Sequence, residues 1–123
     1  MPRLLVVDDR PSVCEFIHEY FSSKGYDVIA AATGMEGLRR LREERPHLVL
    51  LDVMLPDLSG LLVLREAKRI DPTVGIVMVT GVQDEGLRRE ARRVGAFDFI
   101  TKPVDLKQLE QVLLCKLTTM MLG

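Results

Sequence analysis

Apolar residues along the chain fall into two patterns, short continuous runs and longer stretches with helical spacing. The short runs are typical of strands that are covered on both faces, and they lie at 4–7, 48–51, 76–79 and 97–101. Between the runs, residues such as Val13, Ile17 and Tyr20 recur at helical spacing. The pattern therefore predicts a chain in which buried strands alternate with amphipathic helices.

Capping and turn residues divide the chain further. Pro11 and Ser12 mark the start of the first helix and Gly25 its end, while Thr33 and Glu36 form a capping box for the second. The predicted strands are 4–7, 26–32, 47–51, 74–79 and 97–101, and the later helices cover about 61–70, 83–94 and 105–120. Ten alternating elements with short connections predict an α/β fold. Its expected form is a single doubly wound five-stranded parallel sheet, in the order 2-1-3-4-5, flanked by five helices.

Polar residues follow four of the predicted strands at the point where each strand ends. Asp8 and Asp9 close the first run, Asp52 closes the third, Thr80 the fourth and Lys102 the fifth. In parallel α/β sheets, ligands bind just beyond the carboxyl ends of the strands. The sequence thus predicts that carboxylates, a hydroxyl and a lysine converge on one site.

These residue types suit a hard cation and a phosphoryl group. Mg²⁺ prefers oxygen ligands, and Asp8, Asp9 and Asp52 supply carboxylates whose mutual repulsion favours a divalent cation. An aspartate is also a nucleophile that forms acyl phosphates. Phosphoryl transfer needs charge neutralisation at the phosphoryl oxygens, for which Lys102 is suited, and Thr80 offers a hydroxyl donor.

Each residue alone has an ordinary structural explanation. An aspartate after a strand is commonly a helix N-cap, and a lysine before a proline is commonly a solvated loop residue. The combination is more specific, because four strand ends carry Asp-Asp, Asp, Thr and Lys-Pro in order. We therefore interpret these residues as one site.

Length, charge and cysteine content narrow the function classes. At 123 residues the chain is expected to form one domain, 1–123. Its 17 basic and 18 acidic side chains nearly cancel, which removes a general electrostatic case for binding nucleic acid or an anionic membrane. No apolar stretch approaches the roughly 18 residues of a membrane-spanning helix. Cys14 and Cys115 are expected to be buried free thiols, and the expected location is cytoplasmic.

The chain resembles the receiver domain of two-component response regulators over essentially its whole length. The matching pieces are Val7-Asp8-Asp9, Asp52-x-x-x-Pro56-x-x-x-Gly60, Thr80-Gly81, Gly95-Ala96 and Lys102-Pro103. The resemblance implies a flavodoxin-like fold and a role as a phospho-accepting switch rather than an enzyme. It also implies that a sensor histidine kinase or phosphotransfer protein docks on the first helix beside the acidic pocket, near Cys14 and Glu15.

The resemblance assigns roles within the site. Asp52 is the expected phospho-acceptor, and Mg²⁺ is expected on Asp8, Asp9, Asp52 and the backbone carbonyl of Met54. Thr80 and Lys102 are expected to hold the phosphoryl oxygens, with a cis peptide bond between Lys102 and Pro103, where proline lowers the cost of that form.

A switch is implied as well. On phosphorylation the Thr80 hydroxyl is expected to move towards the phosphoryl group while the ring of Phe99 turns inward. This repacks the face formed by the fourth helix, fifth strand and fifth helix. The alternative for Phe99 is an ordinary core aromatic.

The residues after the acidic pair and those flanking the predicted site depart from the family pattern. Arg10 follows the acidic pair, where it either pairs with a carboxylate or the phosphoryl group or is simply solvated. Met54 and Val82 lie two residues beyond Asp52 and Thr80, and both are apolar. The resemblance implies that these side chains control water access, so a fairly long-lived phosphoryl state is expected.

The predicted fourth helix is rich in charge. Its charged residues are Asp84, Glu85, Arg88, Arg89, Glu90, Arg92 and Arg93. A solvated, salt-bridged face is the ordinary interpretation. The functional alternative is a surface for a phosphorylation-dependent homodimer, together with the fifth strand and fifth helix.

Competing functions are less well supported by the residues. A haloacid-dehalogenase-like phosphatase also uses an aspartate nucleophile and Mg²⁺, but it needs a second aspartate two residues on, where this chain has Met54. A nucleotide-binding domain is disfavoured because no Gly-rich phosphate loop follows the first strand. The output stays open between a stand-alone receiver that acts by docking and the N-terminal part of a transcription regulator. The second is our expectation.

Overall fold

The computed structural model describes residues 2–81 and 85–122, within which five strands alternate with five helices. The strands are β1 (Arg3–Val7), β2 (Asp27–Ala31), β3 (Leu48–Asp52), β4 (Gly75–Thr80) and β5 (Asp98–Thr101). The helices are α1 (Pro11–Ser22), α2 (Gly34–Glu44), α3 (Gly60–Ile70), α4 (Glu85–Val94) and α5 (Leu106–Leu122).

The strands form one parallel sheet in the order β2-β1-β3-β4-β5, as the sequence predicts. Its register brings the carboxyl ends of the central strands level with one another. Val7 pairs with Leu51, and Asp52, one residue on, pairs with Val79. Thr80 in turn pairs with Thr101 of β5. The polar residues that end these strands therefore lie at one edge of the sheet.

Buried side chains alternate between the two faces of the sheet, because successive residues of a strand point to opposite sides. Leu5 and Val7 belong to the core cluster that packs under α2, α3 and α4. Leu4 and Val6 belong to the opposite cluster, under α1 and α5. Covering both faces is what makes the strand sequences almost continuously apolar.

Several element boundaries differ from the predicted ones by one or two residues. Asp52 and Thr80 are the last residues of their strands rather than loop residues, since each still pairs with the neighbouring strand. Strand β2 begins at Asp27, because Tyr26 belongs to the turn after α1 and donates its backbone N–H to the Phe21 carbonyl. The predicted start of the fourth helix at Gln83 lies outside the described residues.

Caps at the start of α2 come from near and far in the sequence. The Thr33 hydroxyl accepts a hydrogen bond from the Glu36 N–H at 3.1 Å, which confirms the Thr33 half of the predicted capping box, while the Glu36 carboxylate accepts from the Ala32 N–H at 3.4 Å rather than from Thr33. In addition, the Asp57 carboxylate accepts from the N–H groups of Gly34 and Met35 at 2.8 and 3.0 Å. Asp57 lies in the loop between β3 and α3, so this loop is tied to the start of α2.

The prediction that both cysteines are buried is wrong for Cys115, which is exposed on α5. The buried side of that helix is formed by Leu109, Val112 and Leu113, and Cys115 lies outside this stripe. Cys14 is half-buried on α1, with its Sγ 3.5 Å from the Asp8 carbonyl. Both thiols are free. Within 2–81 and 85–122, none of the helices is long and apolar enough to span a bilayer.

Candidate functional site

Three aspartates meet at the carboxyl edge of the sheet, as predicted. Asp8 and Asp9 follow β1, Asp52 ends β3, and one carboxylate oxygen from each lies within 4.8 Å of the others. Asp52 is only 2% exposed and Asp8 5%, whereas Asp9 is open to solvent. Three carboxylates this close together, two of them buried, need compensating positive charge.

Two cationic side chains of the chain itself reach the aspartates. The Lys102 Nζ lies 3.0 Å from Asp52 Oδ2, and the Arg10 Nη2 lies 3.5 Å from the same oxygen. Arg10 also binds both oxygens of Asp8, with Nη2 3.0 Å from Oδ2 and Nε 3.2 Å from Oδ1. Its backbone N–H donates to Asp8 Oδ1 at 2.9 Å. Of the possibilities left open for Arg10, the structure shows pairing with carboxylates.

The charge state of Asp8 follows from these contacts. Burial raises the pKa of its carboxyl group, but the hydrogen bonds from the side chain and backbone of Arg10, with the charges of Arg10 and Lys102, lower it by more. The net pKa is below the ordinary value of 3.8. The Asp8 carboxyl group is therefore anionic at neutral pH.

The loop after β3 is folded tightly around Asp52. The Met54 N–H donates to Asp52 Oδ1 at 2.9 Å, and the Gly60 N–H donates to the Val53 carbonyl at 3.2 Å. A Cβ at position 60 would lie 2.7 Å from the Val53 Cα, so only glycine fits this approach. The Met54 side chain, by contrast, is 75% exposed beside the pocket. The role of the Met54 carbonyl as a metal ligand stays a prediction.

Thr80 ends β4, the strand next to Asp52, and Lys102 follows β5. Thr80 is buried at the end of β4, and its carbonyl accepts a hydrogen bond from the Lys102 N–H at 2.8 Å. Next to it, a Cβ on Gly81 would meet only the Lys102 side chain, at 3.7 Å, so the edge of the pocket is open at this point. The Lys102–Pro103 peptide bond is cis, as predicted.

The ring of Phe99 is 8% exposed on β5 and is covered by two arginines of α4. The guanidinium carbons of Arg92 and Arg88 lie 5.0 and 5.4 Å from the ring centroid. Arg88 also donates to the Thr101 hydroxyl at 3.1 Å. From the sequence these arginines are expected to be solvated or to form a dimer surface, and their contact with Phe99 is not predicted. Arg88 and Arg92 are four residues apart, which puts them on one side of the helix. This spacing is the sequence feature that could have predicted a shared contact.

Other predicted features of this region have mixed outcomes. Cys14 and Glu15 line a groove of about 320 Å³ together with Asp8 and Asp9, beside the acidic pocket. Val82 lies outside the described residues, so its predicted flanking position is untested. Asp57, which ties the loop after Asp52 to α2, was not singled out from the sequence.

Comparison with known proteins shows similarity along most of the chain. The family model described as response regulator receiver domain matches residues 4–114. The chain is 31% identical over 107 residues to sporulation initiation phosphotransferase F of Bacillus subtilis, covering 87% of this chain and 86% of that protein. It is 40% identical over 107 residues to the TorCAD operon transcriptional regulatory protein TorR of Escherichia coli O157:H7. That match covers 86% of this chain but 46% of TorR, so the chain spans about half the length of this relative.

Solved structures agree with the family model. The crystal structure of a response regulator receiver domain protein from Clostridium thermocellum superposes with a TM-score of 0.92 at 30% identity, covering 99% of this chain and 98% of that one. A CheY-like receiver domain protein from Methanospirillum hungatei gives a TM-score of 0.88 at 30% identity, covering 97% and 98%. The fold, the acidic cluster at the sheet edge and these similarities lead to one conclusion: the chain belongs to the response regulator receiver domain family.

Proposed function

We propose that this receiver domain, residues 1–123, is a phospho-accepting switch that takes a phosphoryl group onto Asp52. The observation that carries the proposal is the position of Asp52 at the end of a central strand, with the Lys102 Nζ 3.0 Å from its Oδ2. Asp8 and Asp9 offer further carboxylate oxygens within 4.8 Å. A buried carboxylate next to a cation and other carboxylates is suited to accept phosphate as an acyl phosphate.

The donor set fits Mg²⁺, which takes oxygen ligands and commonly keeps several waters. Asp8, Asp9, Asp52 and the Met54 carbonyl are the groups proposed to hold it. When bound, Mg²⁺ supplies positive charge that stabilises the phosphoryl oxygens during transfer. The rival phosphatase chemistry gains no support, because position 54, where it needs a general acid, carries an exposed methionine.

In the proposed reaction an Asp52 carboxylate oxygen attacks phosphorus as the bond to the donor breaks. The donor is the phosphohistidine of a sensor kinase or phosphotransfer protein, whose nitrogen leaves with the bonding electrons. Lys102 then binds a phosphoryl oxygen in place of the Asp52 oxygen, and the Thr80 hydroxyl donates to another. The domain keeps the phosphoryl group as a signal, which makes it a switch rather than an enzyme with turnover.

The output of the switch is proposed to be the α4–β5–α5 face. In this proposal the movement of Thr80 towards the phosphoryl group opens space beneath the Phe99 ring, which is already buried at 8% exposure, and the ring shifts deeper together with the α4 arginines that cover it. We propose that this changes a homodimer surface or a contact with an effector domain. We propose that the chain is the N-terminal part of a transcription regulator acting in the cytoplasm, and the similarity to a transcriptional regulatory protein supports the transcriptional output.

A second output is favoured by a different comparison. Sporulation initiation phosphotransferase F matches over 86% of its own length, so a receiver of about this size also exists among the relatives. A stand-alone receiver that acts by docking is therefore the alternative. In both cases the kinase or phosphotransfer partner is proposed to dock beside α1, where Cys14 and Glu15 line the groove that includes Asp8 and Asp9.

Intact-mass measurement after incubation with acetyl phosphate tests the proposal. We expect the mass of one phosphoryl group to be added in the presence of Mg²⁺, and no addition after chelation or in Asp52→Ala. Asp71→Asn is the matched control, because Asp71 lies in the loop before β4, at the opposite edge of the sheet. Equal labelling of Asp52→Ala and Asp71→Asn would overturn the assignment of Asp52.

A further inference from the structure

Arg10 holds the carboxylates that are proposed to bind Mg²⁺. Its guanidinium uses two nitrogens on Asp8, at 3.0 and 3.2 Å, and one of the two also lies 3.5 Å from Asp52 Oδ2. Both oxygens of Asp8 therefore already accept hydrogen bonds from a cation. Asp52 Oδ2 is shared between Arg10 and Lys102.

We infer that Arg10 is a built-in competitor of Mg²⁺, which occupies the acidic pocket in the metal-free state and leaves it when the metal binds. This inference rests on the proposed function. It assigns to Arg10 a role that the acidic residues alone do not have, namely setting the metal concentration at which the pocket becomes competent for phosphoryl transfer.

Charge balance supports the competition. Three carboxylates against the formal charges of Arg10 and Lys102 leave one net negative charge at the pocket. Adding a divalent cation with Arg10 still in place would make the pocket net positive. If Arg10 leaves, the net charge of the pocket becomes zero, because the charges of Mg²⁺ and Lys102 then equal those of the three carboxylates.

The side chain of Arg10 can leave the acidic pocket because it is partly exposed and lies next to a groove. Arg10 immediately precedes α1, and its side chain is 47% exposed although it is bound to buried carboxylates. It borders an open groove of about 160 Å³ whose lining includes Val13, Phe16 and Pro103. Rotation about the side-chain bonds moves the guanidinium from the carboxylates to solvent or to this groove without moving the backbone.

Isothermal titration of the protein with MgCl₂ at fixed ionic strength tests the inference. We expect Arg10→Ala to bind Mg²⁺ about tenfold more tightly than the wild type, the order of a released charge-assisted pair. Arg10→Lys is expected to lie between the two. Arg39→Ala is the matched control, because it removes the same charge from an exposed ion pair with Glu43 on α2 and should leave the affinity unchanged.

Thermal unfolding provides a second readout that does not depend on phosphorylation. The rise in Tm caused by Mg²⁺ should be larger in Arg10→Ala than in the wild type, and Arg10→Gln serves if the alanine variant does not fold. Equal or weaker Mg²⁺ binding by the variants, with normal binding by the wild type, would overturn the role of Arg10 alone. Absence of Mg²⁺ binding in all proteins would overturn the proposed metal site as well.

Discussion

The guanidinium carbon of Arg92 lies 5.0 Å from the centroid of the Phe99 ring, so a cation of α4 rests on the aromatic residue of β5. Arg88 approaches the same ring at 5.4 Å from one helical turn earlier. Contacts of this kind are worth about 0.5–1 kcal/mol at partly exposed sites. The two arginines thus stabilise Phe99 in its present position and link it to the helix that is proposed to carry the output.

Removing Arg92 should make it easier for the Phe99 ring to leave its present position. The Arg92 contact favours the present ring position by about 0.5–1 kcal/mol, and we expect Arg92→Ala to lose this energy. The population of the ring position proposed for the phosphorylated state should then rise roughly two- to fivefold. The measurement is the NMR shift of the Phe99 ring before and after addition of beryllofluoride. Arg93→Ala is the control, since Arg93 pairs with Glu90 on the exposed side. Identical spectra for the two variants would contradict the role of Arg92.

Replacing Gly60 should disturb the loop that follows Asp52, the proposed phospho-acceptor. Its added Cβ would lie 2.7 Å from the Val53 Cα and 3.2 Å from the Asp52 carbonyl, and both neighbours are backbone atoms. We expect Gly60→Ala to lower the free energy of unfolding by about 1–3 kcal/mol, measured by urea denaturation. Gly81→Ala, whose Cβ meets only an ordinary contact at 3.7 Å, should change it by less than about 0.5 kcal/mol. Equal stability of the two variants would refute the argument.

Asp57 should stabilise the fold in a pH-dependent way. Hydrogen bonds from the N–H groups of Met35 and Gly34 lower the pKa of its carboxyl group below 3.8 in the folded state. A group whose pKa is lower when folded contributes its full stabilisation above the unfolded-state pKa and loses it as pH falls through the folded-state pKa. Wild type should therefore be more stable than Asp57→Asn at neutral pH, with the difference shrinking below about pH 4.

Chemical denaturation of wild type and Asp57→Asn across this pH range measures the difference directly. Asparagine has the same side-chain shape as aspartate but does not titrate in this range. A stability difference between the two proteins therefore does not come from packing. A stability difference that is constant from neutral to strongly acidic pH would show that the charge of Asp57 has no part in it.

Met54 should influence how long the phosphoryl group persists. Its side chain is 75% exposed beside Asp52, where an apolar group gives no hydrogen bond to an attacking water. Replacing it with Asn or Glu should speed hydrolysis, with one new water contact lowering the barrier by about 0.5–1.5 kcal/mol, a roughly two- to twelvefold rate change. The half-life is read by intact mass after removal of acetyl phosphate. Met121→Asn, at an exposed position near the end of α5, is the control, and an unaltered half-life in the Met54 variants would count against the idea.

The parts of the site that could be predicted depend on local sequence pattern. Asp8, Asp52, Thr80 and Lys102 each end or follow a recognisable strand, and parallel pairing then brings those ends to one edge. The convergence of these residues follows from that rule, whereas the strand order was expected as one of the common doubly wound orders. Boundaries shifted by a residue because Asp52 continues the strand pairing beyond the apolar run.

The parts that could not be predicted depend on side-chain direction and on distant partners. Sequence does not decide whether Arg10 turns to solvent or to Asp8, since both directions are open to a long flexible side chain. Asp57 caps a helix that begins 23 residues earlier, which no local capping rule covers. The prediction for Cys115 is wrong because α5 is apolar on more than its buried side, so that Leu114 and Cys115 are both exposed although their neighbours in sequence are apolar.

The pocket draws its residues from almost the whole length of the chain, from Asp8 after β1 to Lys102 after β5. A fragment cut before β5 would retain the three carboxylates yet lack the lysine that neutralises Asp52. Cleavage of the chain between Asp9 and α1 would instead break the covalent connection between Asp8 and Asp52. If the proposed uptake of a phosphoryl group from a small donor is observed, it is therefore also an assay of chain integrity, able to distinguish an intact domain from a nicked or partly folded one.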